Sequence, residues 1–236
     1  MFSYSCLLFA YPCAMVPTTD RTEKSRYLRP AGVQFVSECE FTLTRGDNGS
    51  TIESVTQRGP VKMTVTSRYD AKDLLRAAEV TLLMKDQKKT AVVSIVAGKA
   101  KVMRHAQALQ EFDVPKGVIV TSAPDWSDTF LLCRRYDRDK GGKQRFAGLW
   151  IHPVEHSQRL TFAIERHGAD MIEHAGKKLK LDRFTIWLRG NSSYAAWVDA
   201  DGKMIKLVPL PFKENAMNWL VLEGYEKSAA GLPPKE

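Results

Sequence analysis

A chain of 236 residues, 44% hydrophobic and 26% charged, has the make-up of one globular domain and excludes both wholesale disorder and a helical membrane bundle. Its 35 Lys and Arg against 27 Asp and Glu give a formal charge of +8, which would suit an anionic partner. The basic residues are spread along the chain, in groups such as Lys85, Lys88, Lys89 and Lys177, Lys178, Lys180 that flank turns, so solvated hairpin ends are expected and no specific nucleic-acid partner.

Residues 2–16 are apolar, have no Lys or Arg ahead of them and are too few to span a bilayer, so no transmembrane span is expected. With the linker-like Pro17-Thr-Thr-Asp-Arg-Thr-Glu-Lys that follows, residues 1–30 are read as an N-terminal extension or the remnant of a signal segment. A remnant signal implies a periplasmic or secreted protein; the missing basic start keeps a cytoplasmic location as the alternative.

From about Gly32 the pattern changes to short runs with two-residue alternation, broken by turn chemistry. Residues 35–44 alternate and end at Arg45-Gly-Asp-Asn-Gly-Ser, a turn; 51–57 follow, then Val61, Met63 and Val65 separated by polar Lys62 and Thr64. Residues 71–84 contain the helix formers Asp73-Leu-Leu-Arg-Ala-Ala-Glu, but the alternation of Ala78, Val80, Leu82 and Met84 predicts a turn leading into a strand. Residues 90–97 and 100–103 flank Gly98-Lys99 as a hairpin.

The middle of the chain holds Asp125-Trp-Ser-Asp128, a flexible loop over 136–144 and a short strand at Leu149-Trp-Ile-His-Pro. Alternation then resumes. Leu160, Phe162 and Ile164 are expected to pair with Met171 and Ile172 across a turn at 166–170. Phe184, Ile186 and Leu188 lead to a turn at Arg189-Gly-Asn-Ser-Ser, and residues 194–198 turn at Asp201-Gly202 into 204–208. Trp219, Val221 and Tyr225 could add an edge strand, and residues 226–236 are read as a flexible tail. The prediction is all-β: one antiparallel meander over residues 31–225, forming a curved spiral β-roll or half-barrel, with no sequence repeat.

The chemistry is sparse. None of Cys6, Cys13, Cys39 and Cys133 has the spacing of a zinc or redox pair; Cys39 and Cys133 sit in strand-like runs as small buried groups, and a disulfide between them stays open if the protein is exported. His152-Pro-Val-Glu-His156 matches the inverted zinc-protease motif, which demands a helix, yet Pro153 and the strand-like flanks argue for coincidence. Asp125 and Asp128 beside Trp126 are raw material for a binding or acid/base pair, and equally for turn and capping chemistry. His105, His167 and His174 stand singly, and phosphate-binding, dinucleotide and nucleophile-elbow motifs are missing, so no catalytic set, metal or cofactor is expected. The enzyme alternative is a hydrolase or metal-dependent enzyme using Asp125, Asp128, His152 and His156. Five tryptophans in or beside alternating strands default to core packing, but a curved sheet that does not close leaves an apolar concave face for a lipid or other amphiphile. Trp126, Trp150 and Trp197, with Asp125, Asp128 and Tyr136, are the candidate ligand-binding residues.

The order of these features resembles a known group. Gly-rich turns between early strands, the Phe112-Asp-Val-Pro linker, the Ser122-Ala-Pro-Asp-Trp-Ser-Asp segment and the closing Ala195-Ala-Trp-Val-Asp-Ala-Asp-Gly-Lys-Met-Ile-Lys-Leu resemble bacterial exported spiral β-roll proteins of unknown function, among them the family named for glycolipid binding. The resemblance spans about 33–209. It implies a single β-roll, an envelope or exported location and an amphiphile on the concave face, and it brings no catalytic residues.

Overall fold

The computed structural model describes residues 21–31, 34–72, 74–85, 87–104, 107–122, 126–188, 192–211 and 219–232. Alternation in the first half becomes β1 (Arg21–Ala31), β2 (Gln34–Gly46), β3 (Gly49–Arg58), β4 (Val61–Asp70), β5 (Leu75–Met84), β6 (Gln87–Val96), β7 (Lys99–Arg104) and β8 (Gln107–Asp113). The short β9 (Ile119–Thr121) and the helix α1 (Ser127–Arg135) precede β10 (Lys143–Trp150), β11 (Gln158–His174), β12 (Lys177–Leu188), β13 (Ser192–Val198), β14 (Met204–Leu210) and β15 (Leu220–Leu222). All the strands join one open sheet in the order β8-β7-β6-β5-β4-β3-β2-β1-β15-β14-β13-β12-β11-β10-β9. The expected antiparallel meander is the architecture, and β9 with β10 is its one parallel pair among the described residues. That pair is joined by a crossover carrying α1, as parallel neighbours require.

The connectivity rolls the sheet. Strands β1 to β8 step outward to one edge, and the chain then restarts at the opposite edge with β9. Only residues 114–118 join Asp113 to Ile119; such a link spans roughly 20 Å at full stretch, so the two edges of the sheet must lie near each other. Side chains bridge the gap: Ser157 N donates to Gln110 Oε1 at 3.2 Å, Arg159 Nη1 donates to the Asp113 carbonyl at 3.4 Å, and Arg104 donates to the carbonyl of Glu155.

Helix α1 fills the inside. Its run Phe130-Leu-Leu-Cys is buried, with Asp128 in the first turn and Arg134 and Arg135 in the last, the charge order that suits the helix dipole. The Phe130 ring stacks on Tyr27 at 4.7 Å and meets Phe41 edge-on at 4.5 Å. Around it lie the inward positions of the sheet, among them Leu43, Ile52, Met63 and Val65, each contributing about 1.5–3 kcal/mol when fully buried. The Tyr27 hydroxyl donates to the Met204 carbonyl at 3.0 Å, and burial pushes its phenol well above the ordinary range, which keeps it a donor.

Several elements differ from expectation. Strand β1 lies ahead of Gly32 and pairs with both β2 and β15; its charged sequence hid the inward Ser25 and Tyr27. Residues 166–170 make no turn. They lie within the 17-residue β11 as a bulge between Arg166 and Ala169, where Gly168 takes φ +114°, and the reversal comes at Ala175-Gly176. Strand β15 is not at an edge: Val221 faces Leu28 on one side and Lys206 on the other. Cys133 sits in α1 rather than a strand, and both it and Cys39 are buried. The loop after α1 is tied down, with Asp137 Oδ1 accepting from the backbone N–H of Asp139 and Lys140. The hairpin at 97–98 and the turn at 201–202 fall where expected, and 71–84 resolves into a turn and β5. The turn expected at 189–193 begins at 189–191, which lie outside the described residues. Among the described residues no helix is long and apolar enough to cross a membrane.

Candidate functional site

The sequence-selected residues divide among different places. Trp126 is buried at the start of α1, edge-on to Tyr194 at 5.6 Å and 5.6 Å from the Arg58 guanidinium. Asp128 is buried in the first turn, accepting from Thr121 Oγ1 at 2.5 Å, Thr129 N at 2.6 Å and Thr129 Oγ1 at 3.1 Å. These bonds satisfy a buried carboxylate within the first turn; the cap residue, Trp126, makes no side-chain capping bond. Thr121 is also the cross-strand partner of Trp150, so Trp126, Asp128 and Trp150 share one end of the roll, while Asp125 lies outside the described residues. Trp150 stacks on His152 at 5.5 Å. His152 Nδ1 accepts from Val154 N and Glu155 N, both at 3.3 Å, in a bend rather than a helix, and His156 faces Gln110. Among the described residues no three His, Cys, Asp or Glu side chains form a group able to hold a metal.

Tyr136 stands at the other end of α1, donating its hydroxyl to the Gly142 carbonyl at 3.0 Å with its ring edge-on to Phe184. Trp197 lies elsewhere. It faces away from Phe184 in the alternation of β12 and β13, is fully buried and donates Nε1–H to Asp170 Oδ2 at 2.9 Å. Its neighbour Lys206 donates to the carbonyls of Ala229 and Leu232 at 2.8 and 3.1 Å, so the turns of 223–232 cover this face.

Open space lies at the end of the roll that gathers the turns at 47–48, 71–72 and 97–98, the 114–118 link and the end of α1. A cleft of about 410 Å³ is walled by Leu74, Leu75, Ile95, Val114, Pro115 and Val118, with Arg76 and Lys116 as its charged members. Local backbone builds it. Ala97 and Gly98 take φ of 50° and 77°, the conformation a tight hairpin turn needs, and the Gly98 carbonyl accepts from Val114 N at 2.8 Å, pinning the link beside β6 and β7. Asp70 Oδ1 accepts from Leu74 N at 3.0 Å and Lys72 N at 2.9 Å while its carboxylate pairs with Arg76, and the Leu74 bond above all holds its pKa below the usual range.

A second, tighter cleft of about 150 Å³ lies between α1 and the inner face of β2 to β4. Leu43, Ile52 and Leu131 form its apolar wall, and Arg45, Arg134, Arg135, Ser50 and Tyr69 supply the polar groups. The two clefts meet: Arg135, from the second, donates to the carbonyl of Gly117, from the first, at 2.7 Å. Arg134 Nη2 bonds both oxygens of Glu23, at 2.8 and 3.0 Å, and Arg135 lies 5.4 Å over the Tyr69 ring. Sequence reasoning missed this region because its residues come from positions 45 to 135 with no shared local motif; the one local signal was the Arg134-Arg135 pair closing an apolar run.

A rolled, open antiparallel sheet around an internal helix defines a β-barrel-like protein. Among solved structures, the chain is similar to a β-barrel-like protein of domain of unknown function DUF1849 from Brucella abortus, with a TM-score of 0.50 and 8% identity over 88% of this chain and 95% of that one. It is also similar to a DUF1089 family protein from Pseudomonas aeruginosa, with a TM-score of 0.44 and 15% identity over 85% and 95% of the two chains. At 8% identity the first likeness speaks to the fold alone. No family model and no curated protein matches the chain.

Proposed function

We propose that the protein is a non-catalytic binder that takes the apolar part of a lipid or other amphiphile in the 410 Å³ cleft at the rim of the roll. The carrying observation is that cleft: apolar walls with Arg76 and Lys116 among them, in the volume range of ordinary ligand pockets. The concave face itself is largely taken by α1, with Phe130 against Tyr27 and Phe41, which moves the site from the middle of the sheet to its end. The aromatic set at Trp126 and Trp150 lies at the opposite end and serves this reading as packing. An envelope location, periplasmic or secreted, goes with such a ligand.

Calorimetric titration with dodecyl phosphate below its micelle concentration tests the reading. Saturable one-to-one binding is expected, weakened about tenfold or more by Ile95→Glu, which sets a carboxylate in the apolar wall; tenfold corresponds to about 1.4 kcal/mol. Binding that Ile95→Glu leaves unchanged in a folded variant, or no binding at all, would contradict it.

A further inference from the structure

We infer that the 150 Å³ cleft between α1 and the inner face of β2 to β4 is an anion subsite built for a phosphate group. The inference deepens the amphiphile reading, since the cleft adjoins the apolar one, and in that form it rests on it. Arg45 lines the cleft and stands directly opposite Arg21 in the β1–β2 ladder. Like charges directly opposed across a strand pair are destabilising, and neither guanidinium has an acidic partner among the described residues.

The acids nearby do not cancel this. Glu23 is taken up by Arg134, Asp70 is paired with Arg76, and Asp47 lines an adjoining shallow basin at the β2–β3 turn that shares Ser50 and Tyr69 with the cleft. Arg45, Arg134 and Arg135 line the cleft beside the hydroxyls of Ser50 and Tyr69, with Arg21 opposite Arg45 and Glu23 bound to Arg134. A compact polyanion satisfies such a set. Guanidinium forks match phosphate oxygens bidentately, hydroxyls donate to the remaining oxygens, and the apolar wall of Leu43, Ile52 and Leu131 lowers the local dielectric and strengthens each contact. Position adds a further point: the Gly117 carbonyl held by Arg135 is where the two clefts join, so a phosphate here can carry an alkyl chain into the wall of Leu75, Ile95 and Val118.

The test compares inorganic phosphate, dodecyl phosphate and the uncharged dodecyl maltoside on the full chain, on Arg45→Gln and on Ile95→Glu, at constant ionic strength. For a phosphate-headed amphiphile, wild type binds dodecyl phosphate at least tenfold more tightly than dodecyl maltoside, and Arg45→Gln abolishes that preference while leaving maltoside binding intact. For free phosphate as the source, inorganic phosphate binds wild type and Ile95→Glu alike, is lost in Arg45→Gln, and dodecyl phosphate gains nothing from its chain; the subsite then stands and the amphiphile reading fails. Phosphate should also raise the melting temperature of wild type and not of Arg45→Gln, because only the native site binds it. Arg45→Gln relieves the opposition to Arg21 and should be at least as stable as wild type, so a folding defect will not mask the result. Equal binding of both phosphates by wild type and Arg45→Gln overturns the subsite, whatever Ile95→Glu does.

Discussion

Glu38 and Lys206 are two buried charges that the fold handles differently. The register of β1 and β2 runs from Tyr27 opposite Cys39 to Leu28 opposite Ser37, which skips Glu38 and turns it inward as a bulge residue. Its carboxylate is held by Arg29 at 3.0 Å and by Arg58, so the charge is paired. Lys206 has two backbone carbonyls and the faces of Trp219 and Trp197, at 5.0 and 5.8 Å, in place of a carboxylate. Burial therefore lowers its pKa from 10.5 to about 8. The sign follows from proton binding. Between about pH 8 and 10.5 the unfolded chain keeps a proton that the folded chain has released, so this residue makes stability rise with pH across that window and leaves it flat below. Urea denaturation from pH 7 to 10.5 should show the rise in wild type and lose it in Lys206→Met; identical slopes would mean that Lys206 titrates normally in the fold. The bulge at Glu38 and the burial of Lys206 were beyond the sequence, where both read as ordinary surface charges: the first depends on a one-residue slip in the β1–β2 register and the second on how the turns of 223–232 fold back over β14.

At the scale of elements, the three residues of β15 hold the two halves of the sheet together. Val221 pairs with Leu28 of β1 and Lys206 of β14, and among the described residues no other ladder joins strands β1 to β8 to strands β9 to β14. A buried, unpaired carboxylate at this position should cost about 4 kcal/mol or more. Val221→Asp is therefore expected to lower the urea midpoint sharply and to release amide protection in β1 and β14 together; a loss confined to β15 would show that the halves hold without it. Period-two alternation made β2 to β7 and β12 legible, because those strands set one face on the core and the other toward water. Alternation says little of β13, β14 and β15, which are buried largely on both faces: the Asp201-Gly202 turn gave away the first two, and β15 was expected at an edge; α1 was hidden, because its apolar run looked like a strand until its place inside the roll gave it a helical surface to cover.

On the scale of the whole molecule, curvature and function come from one fact of connectivity: β8 and β9 lie at opposite edges of the sheet and are joined by residues 114–118. That link curls the sheet, and together with the 97–98 turn and Arg135 it walls the apolar cleft. The meander was readable from the chain, but the sequence held no sign of which end of the roll stays open. Trp126, Trp150 and Trp197 drew attention as the most conspicuous apolar residues, whereas the open space is bounded by ordinary Leu, Ile, Val and Arg side chains brought together by the roll. Amide chemical-shift mapping during titration with dodecyl phosphate tests the location of the site most directly. The expected result is saturable shifts concentrated at residues 74–76, 95–98 and 114–118 and extending to Arg45; shifts centred instead on Trp126, Trp150 and Tyr194, or none that saturate, would contradict a ligand site at this rim.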